Sequence, residues 1–188
     1  MKKQTQKLTL SAMFIVIGLV LPMITGNIQY IGSMLLPMHI PVFLCGLICG
    51  WRYGLTVGAI LPLLRSILFG MPPIYPVAIA MTFELATYGS ISGLIYDHSK
   101  WQCVYALYRS MIIAMLAGRI IWGLAEVILL GLRGNAFTWA AFISGAFFNA
   151  IPGIVLQLTL IPTLMVSLNK AGLVRFKRFS IDDSMADE

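Results

Sequence analysis

From Leu8 to Asn169 the chain is a nearly unbroken series of apolar stretches, each about as long as a lipid bilayer is thick. A hydrocarbon layer about 30 Å deep is crossed by about 20 helical residues at about 1.5 Å each. Stretches of that kind lie at 8–24, 34–50, 53–69, 74–96, 104–132 and 138–169. A soluble fold has no place to hide them. Apolar residues make up 59% of the chain and charged residues 11%, against about 25% charged in a soluble domain. The expectation is an all-α membrane protein, a bundle of about six transmembrane helices forming one domain over 1–188. Lipid is then the solvent of its outer faces and a partner in its own right.

The breaks between stretches carry the topology. Gly50 and Gly54 flank a very short break at Trp51-Arg52, as a tight helix-to-helix turn requires. Pro152 and Pro162 are expected to kink or end the last span. Leu21-Pro22-Met23 makes a poor cleavage site, so the first segment reads as a retained span. Lys2, Lys3, Lys7, Arg52, Lys100, Arg109, Lys170, Arg175, Lys177 and Arg178 all fall on one side of a six-span bundle, and only Arg133 on the other. Basic connections stay in the cytoplasm, which places both termini there. The net charge of +6 thus reads as topology rather than as nucleic-acid binding. Residues 180–188 form an acidic tail, expected to be flexible.

Charges inside the spans are costly, about 2.5–3.5 kcal/mol each at the centre of a helix on insertion scales. Arg65, Glu84, Arg119 and Glu126 are such residues. Spacing groups them. Arg119, Trp122 and Glu126 stand at i, i+3 and i+7 on one helix face, Glu84 and Tyr88 at i and i+4, and Asn149 and Gln157 eight apart. With His39 near the end of the second span, they place a polar set in the outer half of the bundle. Apolar walls with a few placed polar groups suit a small molecule. The alternative is a lock, Arg119 paired with Glu84 or Glu126, that only holds the bundle. The outer connections contribute Asn27 at 25–33 and Tyr75 at 70–75, either as a lid over a pocket or as interfacial anchors.

Enzyme chemistry finds little here. Ser144-Gly145 in a span has no histidine within reach to act as base. No Gly-x-x-x-x-Gly-Lys-Ser/Thr pattern occurs, so ATP hydrolysis by that route is excluded. Cys45 and Cys49 share a helix face, but His39 is the only further ligand on offer, so they read as small buried residues rather than a metal site. No metal or other cofactor is expected. Gly46/Gly50, Gly54/Gly58 and Gly89/Gly93 are small-xxx-small pairs, which let helices approach closely.

Several segments resemble the substrate-binding S components of energy-coupling factor (ECF) vitamin importers. They are Leu36-Pro37-Met38-His39-Ile40-Pro41-Val42 leading into Gly46, Gly50 and Tyr53-Gly54, then Leu64-Arg65-Ser66-Ile67-Leu68-Phe69-Gly70-Met71-Pro72-Pro73, and then Phe83-Glu84-Leu85-Ala86-Thr87-Tyr88-Gly89. The resemblance covers at least 8–170. It implies a subunit of a bacterial plasma membrane that binds a vitamin from outside. Its implied partners are a membrane scaffold subunit and two ATP-binding-cassette ATPases, which drive toppling and release. The family carries Ala-x-x-x-Ala on the first span for docking. Here the matching pair is Ala12 and Val16, or Ser11 and Ile15. Similarity to pantothenate-type members favours pantothenate, whose carboxylate Arg65 or Arg119 would hold bidentately. Asn149, Tyr88 and Glu126 would then serve its amide and hydroxyls. A hydroxymethylpyrimidine or pyridoxine carrier, with the ring on Trp122 or Tyr75, is the runner-up. A structural or assembly protein without ligand stands as the alternative of another class.

Overall fold

A computed structural model describes residues 2–24, 37–99, 101–132 and 151–174. Helices account for nearly all of them: α1 (Lys2–Ile24), α2 (His39–Cys49), α3 (Trp51–Phe69), a π-helical turn (Ile74–Ala78), α4 (Ile79–Asp97), α5 (Val104–Gly131) and α6 (Ile151–Lys170). No strand occurs among the described residues. Among the described residues, five stretches are long and apolar enough to cross a membrane: Gln4–Met23, Trp51–Phe69, Ile74–Asp97, Val104–Gly131 and Ile151–Lys170. The all-α membrane class expected from the sequence is what the molecule shows.

The boundaries differ from the sequence reading in instructive ways. The break between the second and third spans is one residue, Gly50, whose φ of 100° lies in the region that favours glycine. Trp51 and Arg52 already belong to α3. Gly54, expected to flank the turn, is a packing residue instead. The fourth span does not start as a regular helix. Tyr75 takes extended backbone angles (φ −117°, ψ 133°) inside the π-helical turn that leads into α4. In the sixth span, α6 runs through Pro162 to Lys170, so that proline does not end it. Residues 25–36, which hold Asn27, and 133–150, which hold Asn149, lie outside the described residues, as does the acidic tail 180–188.

The bundle is built around α2, whose residues are buried almost throughout. One face of α2 (Ile40, Phe43, Leu44, Leu47) packs with Tyr88 and Tyr96 of α4, Leu107, Met111 and Met115 of α5, and Ile161 and Met165 of α6. The other face (Val42, Cys45, Cys49) packs with Val57 and Leu61 of α3 and Leu85 of α4, under Leu10, Phe14 and Leu19 of α1. Cross-packing of α3 and α4 brings backbones together. A Cβ on Gly54 or Gly46 would overlap the Gly89 carbonyl, one on Gly58 the Leu85 carbonyl, and one on Gly89 the Gly54 carbonyl. Glycine is what these crossings require, and close backbone approach replaces the hydrophobic drive that lipid removes. The outward faces are apolar: Ile112, Leu116, Ile120, Leu124 and Val127 on α5, and Ile60, Ile67 and Leu68 on α3, are exposed. Such a surface suits hydrocarbon rather than water.

Candidate ligand site

Where α2 begins, α4 and α5 carry their charged residues past it, and a polar cluster forms inside the bundle. Glu84 is its hub. Arg119 donates from Nη1 to Glu84 Oε1 at 3.0 Å, and the Tyr88 hydroxyl, one helical turn along α4, donates to the same oxygen at 2.8 Å. His39 Nε2 stands 3.7 Å from it, beyond hydrogen-bond length. All four side chains are buried. Sequence spacing had left Arg119 a choice of two acids, and the structure pairs it with Glu84. The pairing is what makes the burial tolerable, since an isolated charge in a low-dielectric interior would cost several kcal/mol.

Aromatic packing fixes the hub. The Tyr88 ring stacks on Phe43 of α2, with centroids 5.1 Å apart and planes 19° from parallel, and lies 5.3 Å from the His39 ring. A Cβ on Gly118 would collide with the Tyr88 ring. The α5 backbone therefore rests directly on Tyr88, one residue before Arg119.

Several groups in this region have no hydrogen-bond partner among the described residues: Nε and Nη2 of Arg119, both ring nitrogens of His39, and Nε2 of Gln157. Buried donors are nearly always satisfied in folded proteins, so this concentration calls for acceptors that the described chain does not supply. The Arg119 pair is the most specific. Nη1 is used on Glu84, while Nε and Nη2 form the other edge of the planar guanidinium, a fork that fits two acceptor atoms at once. Glu126, two turns along the same face of α5, is 6% exposed, and no hydrogen bond or ion pair to it occurs among the described residues.

The remaining candidates are distributed around this cluster. Arg65 is turned away, with Nη1 donating to the Leu19 carbonyl of α1 at 2.8 Å and its guanidinium 5.5 Å from the Phe69 ring centroid. It joins α3 to α1. The Tyr75 hydroxyl donates to the Leu129 carbonyl, tying the π-helical turn to the far end of α5. Trp122 is half-buried on α5 between Arg119 and Glu126. Gln157, grouped with Asn149 by its spacing, is buried and shares its helix face with Ile161 and Met165, which pack in the Tyr88 cluster. Phe43 gave no signal in the sequence, since one aromatic in an apolar run looks like core.

The first-span pair separates as well. Ser11 is buried, donating to the Lys7 carbonyl at 2.8 Å and accepting from Cys45 Sγ at 3.5 Å, and Ile15 is half-buried. Ala12 is exposed, and Val16 is 58% exposed, in a stripe with Leu8, Val20 and Met23.

A family model described as the ECF transporter, substrate-specific component, matches residues 6–165. The chain belongs to that family. No curated protein and no solved structure matches it. Substrate-specific components are transport subunits rather than enzymes. This one is a multi-pass integral protein of the bacterial plasma membrane and the substrate-binding subunit of an ECF-type importer. The match runs from the start of the exposed α1 stripe to most of α6, so Glu84, Arg119 and Glu126 all lie within it.

Proposed function

We propose that this substrate-specific component binds pantothenate, with both termini in the cytoplasm and the ligand entering from outside. The buried Nε–Nη2 edge of Arg119, without a partner among the described residues, carries the reading. A carboxylate presents two oxygens in one plane, which is the shape that edge accepts. Seven residues further, about 10 Å along the helix, buried Glu126, whose carboxylate has no partner among the described residues, is within reach of the hydroxyls at the other end of the same molecule. Gln157 and His39 supply donors for the amide carbonyl between them. The ligand-free structural alternative leaves those donors without acceptors among the described residues.

The charge balance favours a second reading. Glu84 already compensates Arg119, and Glu126 adds an acid without an ion pair among the described residues, so a neutral ring of the hydroxymethylpyrimidine or pyridoxine type enters without adding buried charge. A titration of the purified protein, read by its own tryptophan fluorescence, decides. Saturable binding of pantothenate, with the two neutral rings at least about tenfold weaker, is the expected result. Binding of a neutral ring alone reassigns the pocket, and binding of none removes the vitamin assignment for all three.

For assembly, the Ala12–Val16 face of α1 is the surface open to a scaffold subunit, which would sit with two ATP-binding-cassette ATPases beneath it. Ser11 and Ile15 face the protein's own core. A tryptophan at Ala12 will therefore prevent co-purification with scaffold and ATPases while leaving the ligand titration unchanged. A Ser11→Trp variant, by contrast, will lose folded protein.

A further inference from the structure

At the opposite end of the bundle from His39 there is a cavity about 300 Å³ in volume, away from the polar cluster. It lies where α1, the last turns of α2 and α4, the connection to α5 and the segment after α6 meet. Lys7, Asp97 and Gln102 give it a polar side, and Leu47 and Leu173 an apolar one. We propose that this cavity holds the headgroup of an aminophospholipid, a phosphodiester joined to a primary ammonium.

Two observations converge on that ligand. First, the cavity carries both signs of charge at one corner. The point where a Cβ of Gly50 would stand lies 3.3 Å from Asp97 Oδ2 and 3.9 Å from Lys7 Nζ. A ligand bearing an anion and a cation a few bonds apart matches this pair, with Lys7 on the phosphodiester and Asp97 on the ammonium. Second, the depth is that of the lipid headgroups. Trp101 and Tyr105 are exposed at this end, and Arg52 lies over the Trp51 ring at 5.3 Å. Aromatic side chains of that kind gather at the membrane–water boundary. The bilayer thus presents such headgroups to the cavity continuously, with the apolar side toward the glycerol and acyl chains.

The test is native mass spectrometry of the full chain released from nanodiscs of equal parts ethanolamine, choline and glycerol phospholipid. The wild type is expected to retain ethanolamine lipid about tenfold over the other two. Choline lacks the N–H groups Asp97 requires, and glycerol lacks the cation. Asp97→Asn is expected to abolish the preference, and Lys7→Gln to lower retention of all three lipids. Melting curves in detergent serve as the folding control for both variants. Equal retention of the three lipids by the wild type, or a preference that survives Asp97→Asn, overturns the proposal. So does a result in which both variants keep their lipid but lose the scaffold subunit, which would make the cavity a protein-docking site.

Discussion

Replacing Arg119 with lysine will weaken binding of a carboxylate ligand by about 10- to 100-fold while the bundle stays folded. The magnitude follows from losing one or two hydrogen bonds to a charged group, about 1.5–3 kcal/mol, at about 1.4 kcal/mol per factor of ten. Lysine keeps a positive charge for Glu84, so the buried acid is not abandoned, but a single ammonium cannot offer the Nε–Nη2 edge. Alanine at the same position tests something else. It strands Glu84 in the interior and will lower stability by about 3–5 kcal/mol, masking any effect on the ligand. Melting curves in detergent separate the two variants. If Arg119→Lys binds the carboxylate ligand as tightly as the wild type, the guanidinium edge is not the recognition element and the neutral-ring reading gains.

A leucine at Gly89 will destabilise the protein by at least about 3 kcal/mol, the upper part of the range for overfilled cores. The α-carbon of Gly89 faces the Gly54 backbone, and even a Cβ there would overlap the Gly54 carbonyl. No side-chain rotation relieves a clash with backbone, so α3 and α4 must separate. That motion also disturbs Glu84 and Tyr88, which stand on the same helix, so binding will fall together with stability. Gly131, near the end of α5, has nothing within 4 Å of its Cβ position. The same replacement there will leave the melting temperature unchanged. A Gly89→Leu protein that melts with the wild type would show that the crossing is looser than described.

Much of this was legible in the sequence, for reasons specific to each part. The spans follow from hydropathy because lipid leaves little latitude about what crosses it. The pairs Glu84/Tyr88 and Arg119/Glu126 follow from helical spacing, since residues four or seven apart share a face wherever the helix packs. Which of the pairs Ala12/Val16 and Ser11/Ile15 faces outward did not follow. The first span is apolar all round, and only packing against Cys45 shows that Ser11 points inward. Arg65 was hidden for another reason. One acceptor is the main-chain carbonyl of Leu19, and a backbone acceptor leaves no mark on the residue that provides it. The break at Gly50 was misplaced by two residues because the charge of Arg52 draws the eye to the helix start rather than to the glycine before it.

The unequal lengths of the helices reach beyond the protein. With 28 residues, α5 is about 42 Å long, while the 19 residues of α3 come to about 29 Å. Both are held in one bundle, and α5 is fastened near its end through Leu129 to Tyr75. No single bilayer thickness matches both helices standing upright. Either α5 tilts more than α3 or the lipid beside it thickens, at fractions of a kcal/mol per ångström of mismatch. Acyl-chain length is then expected to bear on how the bundle sits in its membrane.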